Sequence, residues 1–303
     1  MRWLLACLLA LVPAQETGVE PDGAVQLQLH RVRDDYVDLL IVVPSEAKEV
    51  QERRLIRDSW GKYLADGHCK VCGSNRRVKL LFGLGARTNQ SLQEEKDWAD
   101  VAVLSLDSKL DSPNQQAMKT RILIAHAVEK YDFGLLLKVD PHSFVFLDRL
   151  LSLAEGKKLF PSDETPDIYG GYFAYQDKQV KKMEGKLKDL DYRKLTGHNR
   201  FPKYAKGAGY LLSRRLCRHI ANFPEDNKFD WAPMPALRSL SNEDVSVGFW
   251  LQPVSHWNVQ LPVATAAVGC KEKEKIIDHP VPPEEMTRRG QALAATGDPC
   301  AAA

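Results

Sequence analysis

From Tyr36 to Asp140 the chain alternates short, nearly unbroken apolar runs with segments of helical period, and this alternation narrows the fold more than any other feature. The runs YVDLLIVVPS, RRVKLLFGLG, VAVLSLD and FGLLLKVD are branched and continuous, the pattern of strands buried on both faces. Between them lie EAKEVQERRLIRDSWGKY from Glu46, with Val50, Leu55 and Trp60 apolar, then SLQEEKDWAD, then NQQAMKTRILIAHAVEKY with Met118, Ile122, Ala125 and Val128 apolar. Strands alternating with helices predict an α/β layered fold around a mostly parallel sheet. Such a sheet gathers its loops, and hence its ligands, at the carboxyl ends of its strands.

With 303 residues, 44% of them hydrophobic, the chain is long enough to bury a core of ordinary size. A net charge of +2 gives no bulk electrostatic case for nucleic acid or a membrane surface as partner. The opening MRWLLACLLALVPAQE holds an apolar run from Trp3 to Val12, about half the ~20 residues that span a bilayer. Residues 1–14 therefore read as a signal peptide or short anchor, and no later segment is apolar for long enough to span. That places the rest in an oxidising lumen, where Cys69, Cys72, Cys217, Cys270 and Cys300 are expected to give one or two disulfides and one remaining thiol. Cys69 and Cys72 form a lone CxxC, better read as a bridge than as zinc ligands.

Residues 15–35 read as a linker, 36–280 as the folded domain, and the proline- and alanine-bearing stretch 281–303 as a loosely ordered tail. The lysine-rich segment 177–194 reads as a solvated face or a place for an anionic acceptor.

The candidate site begins with LLLKVDPHSF. In an extended segment, residues two apart face the same way, and Pro141 favours that geometry at Asp140. A carboxylate and the His142 imidazole then converge where a strand ends. Arg53, Arg54 and Arg57 in RRLIRDSW form a second feature, dense positive charge suited to a phosphate or to a solvated helix face. Gly207 and Gly209 permit close backbone approach before an apolar strand or helix. In SNEDVSVGFWL, Ser241 or Asn242 is placed to cap a helix, and Asp244 to serve as a general base for a hydroxyl.

Taken in order, these segments resemble the β1,3-glycosyltransferases of the galactosyltransferase family, which includes fringe-like and N-acetylglucosaminyl members. RRLIRDSW is similar to the family's RRxAIRxTW, LLFGLG to its FLLG strand, and DSPNQQAMKT to its DSYxNLTLKT, retaining Asp111, Ser112, Lys119 and Thr120. FGLLLKVDPHSFV resembles FxLKxDDDxFV, YAKGAGYLLS resembles YxxGxGYxLS, and EDVSVGFWL resembles EDVxxGxxL. Within the family, EDVSVGFWLQPV and GCKEKEKIIDH are most similar to the galactosyltransferase of the proteoglycan linkage region.

The resemblance implies a GT-A-like fold, with a Rossmann-like nucleotide-sugar half joined to an acceptor half. It implies inverting transfer of galactose from UDP-galactose to a glycan, glycoprotein or proteoglycan acceptor in the Golgi lumen, with secretion the alternative location. It also implies Mn²⁺ at the diphosphate, because the leaving group's charge must be neutralised. Asp244 takes the role of base. Arg53, Arg54, Arg57, Lys119, Lys138, Asp140, Gly207 and Gly209 fall on the donor side, and Glu243 and Trp250 on the acceptor side. His142 and His279 fall at the metal. There the chain departs from the family: its three acids are Asp140, Pro141 and His142 here. Imidazole is a softer donor than carboxylate, so Mn²⁺ affinity should fall and another divalent cation, Zn²⁺, Co²⁺ or Fe²⁺, could be preferred. An N-acetylglucosaminyltransferase, or a pseudoenzyme of the same fold that binds a glycan or partner protein, is the alternative. A hydrolase is disfavoured because GxSxG does not occur.

Overall fold

The structure, a computed structural model, describes residues 36–64, 67, 69, 72–105, 108–162, 164–173, 197–223, 228–229, 232–233 and 242–301. The expected signal segment, linker and lysine-rich stretch lie outside these residues. Among the described residues no helix is long and apolar enough to cross a membrane.

The four apolar runs become β1 (Val37–Ser45), β2 (Val78–Leu84), β3 (Val101–Val103) and β4 (Phe133–Val139). They are followed by β5 (Phe144–Val145), β6 (Ile168–Gly171), β7 (Gly209–Ser213), β8 (Lys228–Phe229), β9 (Ala232–Pro233), β10 (Trp257–Gln260), β11 (Val263–Ala264) and β12 (Ile277–Asp278). The main sheet has seven strands in the order β10-β6-β7-β4-β1-β2-β3. Only β7 runs against its neighbours β4 and β6; the other pairs are parallel. This is the mostly parallel α/β sheet that the alternating pattern predicts.

The intervening segments form α1 (Val50–Asp58), α2 (Asn89–Asp97) and α3 (Gln116–Lys130), with α4 (Leu147–Gly156), α5 (Arg214–Ala221), α6 (Glu243–Leu251) and α7 (Pro283–Thr296) beyond. Every residue of β4 is buried, and the strand period of two divides the core into two clusters. Leu40, Val42 and Leu136 join one with α3, α5 and α6. Leu39, Ile41, Val43, Leu135 and Leu137 join the other. Fully burying one such side chain stabilises the fold by about 1.5–3 kcal/mol, which fixes the β4 carboxyl end where the candidate site begins.

A second, three-stranded sheet has the order β11-β12-β5. Asp278 of β12 pairs antiparallel with Phe144 of β5 and parallel with Ala264 of β11.

The C-terminal expectation is corrected. Residues 281–301, the described part of that stretch, do not form a loose tail: Pro283 opens α7 at a position where its missing N–H costs nothing, and Gly297 stops it at φ 75°, a conformation that favours glycine. Met286, Arg289, Ala292 and Leu293 are buried, and a bridge from Cys270 to Cys300 ties down the end. The described residues accordingly form one unit. Cys69 pairs with Cys72, and Cys217 stays a buried thiol whose pKa burial pushes up. Two bridges and one thiol match the cysteine reading.

Candidate active site

At the carboxyl end of β4 the chain turns through Asp140, Pro141 and His142 into β5. The turn is held from several sides. Ser143 donates its N–H to the Asp140 carbonyl at 3.0 Å and its hydroxyl to the Ala208 carbonyl at 2.8 Å. Trp60, the last residue of RRLIRDSW and fully buried, donates its indole N–H to the Ser143 carbonyl at 3.1 Å. Val281 donates to the His142 carbonyl at 2.9 Å.

One oxygen of Asp140 is the focus of this corner. Oδ1 accepts the His142 N–H at 2.8 Å and lies 3.2 Å from His142 Nδ1. His279 Nδ1 approaches the same oxygen at 3.5 Å. Burial by itself would raise the Asp140 pKa, but the His142 hydrogen bonds and the charges of His279 and Lys138 overcome it and lower the group to about 2. The hydrogen bond to Asp140 in turn raises His142, whereas burial lowers His279. Ser143, His279 and Asp140 do not make a nucleophilic triad, since Ser143 is fully buried and its hydroxyl and Asp140 both meet the imidazole at Nδ1.

The second acidic centre is the first turn of α6. Asn242 caps the helix, its side chain accepting from the Val245 N–H, as one of the two sequence candidates predicted. Glu243 is buried and paired with Lys138 Nζ at 3.0 Å, and the Tyr210 hydroxyl donates to its other oxygen. Asp244 accepts the Gly207 N–H at 2.8 Å. A Cβ on residue 207 would lie 2.5 Å from Asp244 Oδ1, so glycine is what permits this approach. Burial would raise Glu243, but the Lys138 charge and hydrogen bonds with Asp244, Tyr210 and Lys138 hold it low. Asp244 is pushed well above the ordinary carboxylate value, first by burial and then by the neighbouring Glu243 charge.

Both centres open onto one cavity of about 670 Å³, lined by Lys119, Lys138, Asp140, His142, Gly207, Glu243, Asp244 and His279 among others. Eight expected residues are thus brought together. The others fall elsewhere. Arg53 is fully buried, bound to Glu94 and donating to Ser45 Oγ and the Glu46 carbonyl. Arg57 pairs with Glu94 and Asp100 and covers the Phe82 ring. Arg54 is exposed on α1 and, like the other two, is not part of the cavity lining. Arg53 therefore holds the loop after β1, and Arg57 ties α1 to Glu94 of α2 and to Asp100. Gly209 meets the Ile277 side chain, where a Cβ would come within 2.6 Å. Trp250 is buried in the core beneath α6, so packing, not acceptor contact, is its place here.

Sequence reasoning assigned no role to Asp111, Glu46, Glu49 and Lys206, which also line the cavity. Asp111 takes Lys119 Nζ at 2.7 Å on one oxygen and the Ala47 N–H at 3.0 Å on the other, joining α3 to the loop after β1. The DSPN motif that carries Asp111 was the available signal.

Among the described residues no group of three or more His, Cys, Asp or Glu side chains is arranged to hold a metal ion. At the Asp140 corner one carboxylate stands between two imidazoles, and the contacts of both rings run through Nδ1; carboxylate and imidazole are both ligand types for a divalent cation. Two nitrogen donors favour a softer ion than an all-oxygen set does.

The sequence model of the family described as Galactosyltransferase matches residues 51–256. Hydroxyproline O-galactosyltransferase GALT6 of Arabidopsis thaliana is 25% identical over 95% of this chain, which spans 40% of that protein's length. Beta-1,3-galactosyltransferase 6 of Mus musculus is 26% identical over 86% of this chain and 75% of its own. UDP-GlcNAc:betaGal beta-1,3-N-acetylglucosaminyltransferase 8 of Mus musculus is 24% identical over 82% of this chain and 60% of its own. The matched region contains both acidic centres and all of the main sheet except β1 and β10.

Proposed function

Because the chain belongs to the galactosyltransferase family, we propose that it is an inverting β1,3-glycosyltransferase that moves galactose from UDP-galactose to a glycan hydroxyl. The observation that carries this reading is the pair of carboxylates tuned in opposite directions on one cavity, Asp140 low and Asp244 high. Environments that push two acids apart assign them different tasks.

Asp244 is the base. Its raised proton affinity suits removal of a proton from an acceptor hydroxyl, and the Gly207 N–H holds its carboxylate in place. The acceptor oxygen gives up its proton to Asp244 and bonds to the anomeric carbon from the face opposite the diphosphate. The bond from that carbon to the diphosphate oxygen breaks, and UDP departs with the electron pair. Lys138 keeps Glu243 ionised, and that fixed charge maintains the basicity of Asp244. Asp140 stays anionic throughout and orients His142 and His279. Asp140, His142 and His279 would hold a divalent cation, Mn²⁺ or a softer ion, which when bound neutralises the charge of the leaving diphosphate.

The acceptor in this reading is a β-linked glycan such as the galactosyl-xylose of a proteoglycan linkage, and two disulfides support a secretory lumen, most simply the Golgi. N-acetylglucosamine is the competing donor sugar, because that specificity is named among the relatives. Incubation of the full chain with UDP-galactose and with UDP-N-acetylglucosamine, each with a galactosyl-xyloside, tests the assignment. The expected product is a β1,3-linked galactoside by NMR. Hydrolysis alone, or no product with either donor, would overturn it.

A further inference from the structure

The sheet that carries both imidazoles is gripped from behind by one guanidinium. Arg289 of α7 is fully buried and does not line the cavity. Its Nη1 donates to Asp278 Oδ2 at 2.7 Å and its Nε to Glu285 at 2.7 Å. Its guanidinium carbon lies 5.2 Å from the Phe144 ring centroid and 5.5 Å from that of Phe146. One side chain thus touches β12 through Asp278 and β5 through Phe144, the two strands that pair there. His279 follows Asp278 directly, and His142 precedes Phe144 by two residues. Asp278 Oδ2 also accepts the Gly269 N–H at 2.7 Å, and the adjoining Cys270 is bridged to Cys300 beyond the end of α7.

This arrangement is poorly suited to stability alone. Both partners of the Arg289–Asp278 pair are 0% exposed, and Asp278 Oδ1 and Arg289 Nη2 have no hydrogen-bond partner among the described residues. A buried ion pair with unsatisfied atoms is often matched or exceeded in stability by apolar groups of like volume. Its distinctive property here is direction: a planar fork fixes β12 against β5 at a set angle, as neither a lysine nor a leucine would.

We infer that Arg289 is a positioning residue for the donor site, acting through Asp278 and Phe144 to set the separation of His279 and His142 around Asp140. The inference rests on the donor-site reading given under Proposed function, and its structural part stands separately from it. Groups that orient a site from behind typically change affinity or activity by about 10–100-fold when altered.

The test uses the full chain with Arg289→Lys and with the double replacement Arg289→Met, Asp278→Leu. In folded protein of either kind, KM for UDP-galactose should rise about tenfold while KM for the acceptor stays within about twofold of wild type. Histidine ring NMR supplies a readout that needs no activity: the signals of His279 and His142 should shift in Arg289→Lys, while those of His219 and His256 keep their positions. Shifted His279 signals without transferase activity in any form would retain the positioning role and remove the functional reading. Unchanged His279 signals and unchanged donor KM in Arg289→Lys would overturn the inference, whether or not the double variant folds.

Discussion

The two acidic centres of the cavity differ in how their charge is managed. Asp140 sits on a turn anchored by backbone groups of Ser143, Ala208 and Val281, with His142, His279 and Lys138 around it. Asp244 sits one residue beyond Glu243 at the start of a buried helix, where the nearest cation, Lys138, is already bound to Glu243. The first environment makes a permanent anion and the second a proton acceptor. Carboxylates on a single cavity thus acquire distinct chemistry from the partners the fold places beside them.

The largest effect that breaks this comparison is loss of the acceptor. Asp244→Asn should reduce transfer by about 10²–10⁴-fold, the range of a general base. An indifferent rate would reassign the base. The same variant should melt no lower than wild type at pH 7, since it relieves the repulsion from Glu243. Between the ordinary value of 3.8 and its raised value, the folded Asp244 binds more proton than the unfolded one, so wild-type stability falls as pH rises through that window. The advantage of Asn should therefore disappear in acid, which a Tm series across pH would show.

Lys138→Met strikes the shared element. Glu243 would be left buried without its cation, a loss of about 3–5 kcal/mol. Thermal melting checks this, and a Tm equal to wild type would mean that Glu243 is not held by Lys138 in solution.

A smaller change sharpens the Asp140 side. His142→Asp restores the family's carboxylate, and Mn²⁺-dependent transfer should persist or rise. Collapse of that activity in folded protein would count against the match of Asp-Pro-His to the acidic motif.

The smallest effect is in the acid range. Asp140 is lowered to about 2, so its stabilising contribution is complete above 3.8 and is lost as pH falls toward 2. Asp140→Asn should flatten the acid limb of the stability curve there. An unaltered limb would mean that the carboxylate gains nothing from His142 and His279.

Much of this was legible in the sequence because it depends on local pattern. Continuous branched runs gave β1 to β4, and Asn242 ahead of EDVSV marked the start of α6. Asp244 and Gly207 were both singled out, though their contact spans 37 residues and no local signal pairs them. The arginine cluster misled for the same reason: Arg53 and Arg57 look like phosphate ligands until Glu94 and Asp100 fold back against them. Trp250 looked available because α6 was read for its charged first turn, whereas the helix is buried from Val245 to Leu251. At the C-terminus, proline and alanine content outweighed the signals that make a helix, namely Pro283 at its start, Glu284 and Glu285 in its first turn, and Gly297 at its stop.

The most direct measurement is a calorimetric titration of UDP-galactose into the wild-type full chain and into Asp244→Asn, with Mn²⁺ and again with a chelator. The account predicts equal, cation-strengthened donor binding in both proteins, with transfer confined to wild type. Absence of binding to UDP-galactose, UDP-N-acetylglucosamine and UDP by folded wild-type protein would contradict it, leaving a protein that keeps the fold and has lost the donor site.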